Sequence, residues 1–231
     1  MTNSAKEKIA AIVPARNEEK TIGAVLKVLL DSRCFDEIIV VDGASSDRTA
    51  EISDRLGVKV IRSPKREGKG MAMKKGLEST DAEILVFFDA DLIGFNKEHI
   101  SLILDPILKK SAVMCTGERG RWMYLPYIIS RMDHLLAIGG ERAIRRFVLE
   151  NIPEKFIQDF SVETALNYYC KVNGFKTALV GLRGLDIVPK EIKWGLVKGF
   201  SDRLKEIFQI IKIRLLIIFK KNEFIQKNKT S

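Results

Sequence analysis

The chain has 231 residues, of which 46% are hydrophobic and 30% are charged, an ordinary composition for a soluble globular protein with one substantial domain. Three cysteines lie far apart, in an odd number and without CxxC spacing, which excludes a disulfide framework and a zinc site of that kind. The formal net charge is +9, and residues 190–231 supply +7 of it, with eleven Lys or Arg against four Asp or Glu. This basic segment, with its interleaved apolar residues, indicates an anionic surface as partner, either a membrane or a nucleic acid.

Apolar runs of strand length alternate with segments of helical period in the first ninety residues, a pattern typical of a parallel sheet with crossover helices. Together these βα units predict a nucleotide-binding half-domain. Strands are predicted at residues 9–13, 37–41, 58–61 and 84–88, and helices at residues 21–30, 49–56 and 68–76, with Ser46 or Asp47 as the cap of the second helix.

The pattern is looser after residue 91. We predict one domain over residues 1–189, divided into halves at residues 1–95 and 96–189, and a helical tail at residues 190–231. The second half is expected to contain helices at residues 98–109, 128–138, 142–149 and 162–172, and strands at residues 112–116 and 176–182.

Polar segments follow each of the first four predicted strands. Ligands of an open parallel sheet bind outside the carboxyl ends of its strands, so we expect these segments to form one site. They read PARNEE at residues 14–19, DGASSD at 42–47, REGKG at 66–70 and DAD at 89–91.

Asp89 and Asp91 are the most informative of these residues, because two carboxylates at the end of a buried strand can approach one hard cation and a pyrophosphate. A turn or a helix cap is the alternative. Asp42 ends a strand where it can accept a hydrogen bond from a base, or else cap the following helix. Arg66 and Lys69 suit a diphosphate, with plain solvated charges as the alternative.

Taken together, VPARNEE, VVDGASSDRT, REGKG and FFDAD resemble the family 2 glycosyltransferases, particularly the dolichyl- or polyprenyl-phosphate sugar transferases, over residues 9–95. The resemblance implies an α/β GT-A fold, with a mixed, mainly parallel sheet and flanking helices, and a requirement for Mg2+ or Mn2+. It also assigns site residues. These are Pro14, Ala15, Arg16 and Glu18 for the nucleotide, Asp42 for the base, Lys69 for the phosphate side, Asp89 and Asp91 for the metal, and Ala90, counted with Asp89 in the nucleotide-sugar site.

The resemblance is weaker in the second half, which would bind the acceptor. Asp159 is the first candidate for the base that takes the acceptor proton, and Glu163 is the second. The alternative for both is a helix cap and a first-turn acid. Related enzymes often place a histidine after the next strand, where this chain has Asp186 as a candidate third metal ligand. His99 and His134 are expected to be structural.

Two glycine-flanked charged segments, residues 117–122 and 139–142, carry three arginines that suit an acceptor phosphate, with ordinary surface loops as the alternative. The tail lacks an apolar run long enough to span a bilayer. We expect it to lie on a membrane surface, or instead to pack on the domain or on a second subunit of a homodimer. The N-terminus shows no signal peptide, so a cytoplasmic protein is expected, peripheral to the membrane if the tail binds there.

The primary hypothesis is sugar transfer from a UDP- or GDP-sugar to a lipid-linked or otherwise phosphorylated acceptor, with inversion. Retaining sugar transfer to phosphoglycerate is one alternative. A sugar-phosphate nucleotidyltransferase is another, although such enzymes usually carry a Gly-rich loop after the first strand. A non-catalytic basic protein that binds membranes or RNA is the third, and it leaves the DAD segment and Asp42 without a purpose; we expect no nucleic-acid partner.

Overall fold

The computed structural model describes residues 6–119, 139–157, 161–187 and 224–225. The strands in these ranges are β1 (Ile9–Ala15), β2 (Glu37–Asp42), β3 (Lys59–Arg62), β4 (Ile84–Phe87), β5 (Leu92–Ile93), β6 (Met114–Arg119), β7 (Arg142–Arg145), β8 (Thr177–Leu182) and β9 (Asp186–Ile187). The helices are α1 (Ile22–Ser32), α2 (Thr49–Arg55), α3 (Lys69–Glu78), α4 (Lys97–Leu108), α5 (Arg146–Glu150) and α6 (Ser161–Val172), with a 3-10 turn at Glu154–Phe156.

Seven strands form one sheet in the order β3-β2-β1-β4-β7-β6-β8, and β5 pairs with β9 in a separate ribbon. β7 runs antiparallel to both of its neighbours, while the other pairs in the large sheet are parallel. The predicted mixed, mainly parallel α/β sheet is therefore confirmed. The sheet continues across residue 95, because β4 pairs with β7, so the two predicted halves share one structural frame.

Helices cover both faces of the sheet, which explains why its central strands are continuously apolar. On one face Ile12 and Phe87 pack with Met73 of α3 and Leu166 of α6. Residues next to them in the strands point to the opposite face, where side chains of α1 and α4 complete a second cluster. The predicted helices and strands of the first half are confirmed, with ends that differ by a few residues.

The predicted helix at residues 142–149 is wrong in its first half. Residues 142–145 form β7, and the helix begins only at Arg146. Ala143 and Ile144 lie between β4 and β6, where both neighbouring strands pair with them. Such long-range pairing decides the structure of a short apolar run that fits either period. The predicted helix at residues 128–138 lies outside the described residues.

His99 has the structural role expected of it. His99 accepts a hydrogen bond from the backbone of Asn96, as part of a helix cap, and its Nε2 lies 2.9 Å from the carbonyl oxygen of Arg183. The three cysteines are free, two of them buried and Cys34 partly so. His134 lies outside the described residues, as does nearly all of the tail. No helix in the described part is long and apolar enough to cross a bilayer.

Gly76 of α3 lets this helix lie directly against β1, and we predict that Gly76→Ala destabilises the protein. A Cβ at this position would lie 2.5 Å from Cγ2 of Ile12, a fully buried side chain with few rotamers. Overpacking should cost about 1–3 kcal/mol, more than the gain of up to about 1 kcal/mol in helix propensity. Urea unfolding measures the change.

Gly23→Ala in α1 is the matched control, because its added Cβ would meet its nearest neighbour at an ordinary 3.4 Å. This variant should be as stable as the wild type or slightly more so. Equal effects of the two substitutions would contradict the close packing of α3 on β1.

Candidate functional site

The loops after β1 and β2 are joined to each other at the carboxyl edge of the sheet. The backbone N–H of Asn17 donates to Ser45 Oγ at 2.9 Å, and the backbone N–H of Ser46 donates to Asn17 Oδ1 at 2.8 Å. Asn17 and Ala44 both have positive φ angles, of 56° and 59°. Asparagine tolerates this region better than most residues do, so its place between the two loops has a conformational reason as well as a hydrogen-bonding one.

Asp42 ends β2, is buried, and accepts hydrogen bonds from the backbone and hydroxyl of Ser45. It does not cap α2. Asp47 lies nearer to this helix: it accepts from the backbone of Thr49, the first residue of α2, at 3.0 Å and from that of Glu19 at 3.1 Å. Partial burial opposes ionisation of Asp47, but these hydrogen bonds outweigh it and lower the pKa. The hydrogen bonds of Asp42 with Ser45 leave lone pairs for a ligand, since a carboxylate can accept about four hydrogen bonds.

The residues predicted to contact a nucleotide are collected around Asp42. Register between β1 and β2 places Ala15 opposite Asp42, and Pro14 precedes it in β1. Arg16 is exposed, and Glu18 is partly buried with its backbone N–H on Thr49 Oγ1. Arg66, after β3, is also exposed.

A largely buried group of charges lies beyond the end of β4, with two fully buried and three partly buried members. It consists of Lys69, Asp89, Arg119, Glu141 and Glu163, and we call it the charged cluster. Lys69 Nζ lies 2.6 Å from Asp89 Oδ1 and 3.0 Å from Glu163 Oε1. Arg119 approaches Asp89 at 3.5 Å and Glu141 at 3.4 Å. The cluster thus connects α3, the ends of β4 and β6, the residue before β7, and α6.

The antiparallel direction of β7 explains how Glu141 reaches this place. Arg142, the first residue of β7, pairs with Phe87, the last residue of β4. Residues just before β7 therefore lie at the carboxyl end of β4. The backbone N–H of Gly117 in β6 donates to the carbonyl oxygen of Glu141 at 2.8 Å, which fixes the position of residue 141 from the other side.

Gly140 allows the backbone before β7 to lie directly against Asp89. A Cβ on Gly140 would overlap the Asp89 carboxylate and lie 2.6 Å from Lys69 Nζ. A side chain on Gly139 would likewise overlap the carbonyl oxygen of Gly117. Both glycines are therefore required for the close approach of this segment to the charged cluster.

Ion pairing holds Lys69 and Asp89 in their charged forms. Burial opposes the charge on Lys69, but Asp89 and Glu163 outweigh it and raise its pKa. Burial likewise opposes ionisation of Asp89, while Lys69 and Arg119 lower the pKa of Asp89 below its ordinary value. Both groups are therefore charged at neutral pH.

Glu141 differs from the rest of the cluster, because neither of its carboxylate oxygens accepts a hydrogen bond from the part of the chain that the structure describes. Burial raises the pKa of Glu141 to about 7, the negative charge of Asp89 adds to the shift, and Arg119 opposes it. Glu141 therefore changes its charge near neutral pH.

The described residues of the two glycine-flanked segments, 117–119 and 139–142, do not form simple surface loops. Arg142 is fully buried, and its guanidinium donates to the carbonyl oxygen of Gly139 at 2.8 and 3.2 Å. Arg119 belongs to the charged cluster, and Arg121 lies outside the described residues. The sequence pointed to these segments, but no sequence signal indicated that Arg119 and Glu141 would meet Asp89.

The expected metal ligands are only partly brought together. Asp91 is half-buried just before β5, and Ala90 beside it is buried. β9 pairs with β5, so that Asp186 lies opposite Ile93, and Asp186 is exposed. The described ranges contain no group of three or more His, Cys, Asp or Glu side chains placed to hold a metal. A metal role for Asp186 stays a prediction.

Of the two candidate bases, Glu163 lies within the described residues. Glu163 is buried in the first turn of α6, and its ion pair with Lys69 gives it a partner beyond the helix dipole. Asp159 lies outside the described residues, so its role stays a prediction.

The raised pKa of Glu141 predicts a pH-dependent stability. In the unfolded chain the carboxyl ionises near pH 4.5, but in the folded protein near pH 7. The folded state binds more protons in this window, so stability falls as the pH rises through it. In Glu141→Gln this loss disappears. Relative to this variant, the wild type should lose about 2 kcal/mol of unfolding free energy between pH 5 and pH 8.

Urea unfolding of both proteins at the two pH values measures this difference, in which the contributions of groups that do not interact with Glu141 cancel. A difference between the two proteins that does not change with pH would show that Glu141 ionises normally in the folded state.

Comparison with known proteins identifies the family. The model described as glycosyl transferase family 2 matches residues 10–170. The 4,4'-diaponeurosporenoate glycosyltransferase of Staphylococcus haemolyticus is 40% identical over 140 residues, which is 57% of this chain and 36% of that protein. The glucosyl-3-phosphoglycerate synthase of Mycolicibacterium smegmatis is 32% identical over 190 residues, which is 68% of this chain and 62% of that protein. The chain thus matches less than two thirds of the length of either relative.

Solved structures of the glucosyl-3-phosphoglycerate synthase from Mycobacterium tuberculosis have the same fold. The complex with Mn2+, UDP-glucose and phosphoglyceric acid gives a TM-score of 0.69 at 25% identity, over 80% of this chain and 72% of that one. The complex with Mg2+ and UDP gives a TM-score of 0.68 at 26% identity, over the same shares. With its mainly parallel sheet and its family match over most of its length, this chain belongs to glycosyl transferase family 2 and has the GT-A fold.

Proposed function

We propose that the protein transfers a sugar from a UDP-sugar to a phosphorylated acceptor, with Mg2+ or Mn2+ at the donor diphosphate. The observation that carries the proposal is the placement of Asp42, Lys69 and Asp89 along one carboxyl edge of the sheet. The order of these side chains matches the order of the groups in a nucleotide sugar. Asp42 is a carboxylate for the base, Lys69 a cation for the phosphates and Asp89 a carboxylate for the metal.

The donor would lie along the loops after β1, β2 and β3. Asp42 accepts from a ring N–H of the base, and the backbone at Pro14, Ala15 and Arg16 lines the same edge beside it. Lys69 begins α3, where the helix dipole and free backbone N–H groups favour phosphate. Arg66 adds an exposed cation next to that helix end. The choice of uridine rests on one relative, the Mycobacterium tuberculosis enzyme, which was solved in complexes with UDP and with UDP-glucose.

The side chains available for a divalent cation fit it chemically, because carboxylate oxygens are the ligands that Mg2+ and Mn2+ prefer. Asp89 and Asp91 are the proposed ligands, and Asp186 is the third candidate. Asp89 is paired with Lys69 and Arg119 in the structure described, and these cations would have to share it with a bound metal. When bound, the metal stabilises the charge of the departing nucleoside diphosphate.

Lys69 connects the donor side with the acceptor side, because it is paired with Asp89 after β4 and with Glu163 in α6. A phosphate that binds near Lys69 competes with both carboxylates for the same cation. Glu163 is thereby placed next to the point where the sugar would leave the diphosphate. Asp159 and Glu163 remain the candidate bases for an inverting transfer, and neither is needed in that role if the transfer retains configuration.

For the acceptor, the glucosyl-3-phosphoglycerate synthases among the relatives favour a small organic phosphate. The glucosyl-3-phosphoglycerate synthases of Mycolicibacterium smegmatis and Petrotoga mobilis are among the matched proteins, and that of Mycobacterium tuberculosis was solved with phosphoglyceric acid. Lipid phosphate, the acceptor expected from the motifs, is the second candidate. Arg119 and Lys69, which are both paired with Asp89, are cations suited to either phosphate.

We predict that Asp91→Asn removes the metal dependence of nucleotide binding. In the wild type, Mn2+ should tighten UDP binding at least tenfold, about 1.4 kcal/mol, because the cation links the diphosphate to the carboxylates. In the variant, UDP affinity with and without Mn2+ should be nearly equal. Isothermal titration calorimetry measures both, and Asp81→Asn, which changes an exposed acid paired with Lys8, is the matched control.

Asp186→Asn in the same titration tests the third ligand. Turnover is then measured with UDP- and GDP-sugars, in the presence of Mn2+ or Mg2+, with phosphoglycerate or with vesicles that contain polyprenyl phosphate. The anomeric configuration of the product distinguishes inversion from retention. Absence of metal-dependent nucleotide binding and of turnover with every donor would contradict the proposed function, and RNA binding without nucleotide would favour the non-catalytic alternative.

A further inference from the structure

Phe224, near the end of the chain, is inserted into the core beside the acceptor side of the domain. The residue is 1% exposed, and its ring centroid lies 4.6 Å from that of Phe156 and 5.2 Å from that of Tyr168. Its carbonyl oxygen accepts a hydrogen bond from Asn173 Nδ2 at 2.8 Å. Both ring and backbone are therefore fixed, to α6 on one side and to the 3-10 turn on the other.

The same turn contacts α3 next to Lys69. The carbonyl oxygen of Ile157 lies so close to Gly70 that a Cβ there would overlap it. Glu154, at the start of the turn, is paired with Lys74 of α3 at 2.7 Å. Residues 154–157, which we call the clamp turn, are thus held between Phe224 and the first two turns of α3.

Lys69 lies directly beside the contact between the clamp turn and α3. Lys69 is the first residue of α3 and precedes Gly70 directly, and its side chain bridges Asp89 and Glu163. Glu163 belongs to α6, the helix that also carries Tyr168, while Asn173 directly follows its last residue. Phe224 therefore contacts α6 directly and α3 through the clamp turn, and Lys69 of α3 is paired with Glu163 of α6.

We propose that Phe224 is a positioning residue for the donor site. It presses the clamp turn onto the start of α3 and so places Lys69 for the diphosphate, without any contact with substrate. A simple core side chain would act otherwise: its removal would lower the stability of the whole domain but leave the nucleotide affinity of the folded molecules unchanged. The affinity part rests on the proposed function, so the test includes a measurement that needs no ligand.

Hydrogen exchange provides that measurement. The amides of Phe156 and Ile157 donate to the carbonyl oxygens of Pro153 and Glu154 at 2.8 and 3.0 Å, and that of Ala72 donates to Gly68 at 3.2 Å. In Phe224→Ala, these amides should exchange at least tenfold faster than in the wild type. The amides of β1, far from the clamp turn, should exchange at unchanged rates.

Nucleotide affinity is measured on the same proteins with UDP and Mn2+, at a temperature at which all are folded. Phe224→Ala should bind about tenfold more weakly, and Phe224→Leu, which keeps an apolar side chain, should recover most of the affinity. Ile225→Ala is the matched control, because Ile225 is adjacent but 43% exposed. It should behave as the wild type in both measurements.

A uniform increase in exchange throughout the domain, or an unchanged UDP affinity in Phe224→Ala where the wild type binds UDP, would overturn the proposal. If the wild type binds no UDP, the proposed function fails, and exchange at the clamp turn and at Ala72 alone decides whether Phe224 positions α3. If Phe224→Ala does not fold, the same comparison is made with Phe224→Leu, for which smaller changes of the same pattern are expected.

Discussion

The buried ion pair between Lys69 and Asp89 is the interaction on which the site depends. Removing two charges from water is expensive, and their attraction offsets this only when further partners complete the geometry. Here Glu163 provides a second anion for Lys69, and Arg119 a second cation for Asp89. The close approach of the backbone at Gly140 and Gly70 follows from the same requirement, because a side chain at either position would occupy the space of the cluster or of its support.

Charge balance explains why a diphosphate and a divalent cation would enter this site together. In the structure described, the cations of the cluster are already matched by carboxylates. A diphosphate alone would add negative charge beside Asp89 and Glu163, and a cation alone would lie near Lys69 and Arg119. The two bound together leave the net charge of the cluster nearly unchanged, so each lowers the electrostatic barrier to the other.

The first half of the fold, and the placement of the side chains that form the proposed donor site, could be predicted from the sequence, because they depend on local patterns. Each apolar run ends in a polar segment, and parallel strands bring such ends to one edge, which places Asp42, Lys69 and Asp89 together. The second half depends on pairings between distant residues. β7 looked helical because RAIRRFVLE fits that period, and the contact of Glu141 with Arg119 exists only because β7 lies between β4 and β6. Neither the strand nor the contact leaves a local signal.

The antiparallel direction of β7 brings residues from the second half of the chain to the carboxyl end of β4. Had β7 run parallel to β4, residues 139–141 would lie at the opposite edge of the sheet, far from Asp89. Because it is antiparallel, the segment that enters β7 and the segment that leaves β6 meet at the carboxyl end of β4, next to the ends of the donor loops. In the proposed function, the donor groups come from consecutive βα units, and the groups that would face the acceptor come from β6, α6 and the residues before β7. Under this proposal, a change of acceptor requires changes in these later elements, while the loops proposed to hold the nucleotide keep their geometry.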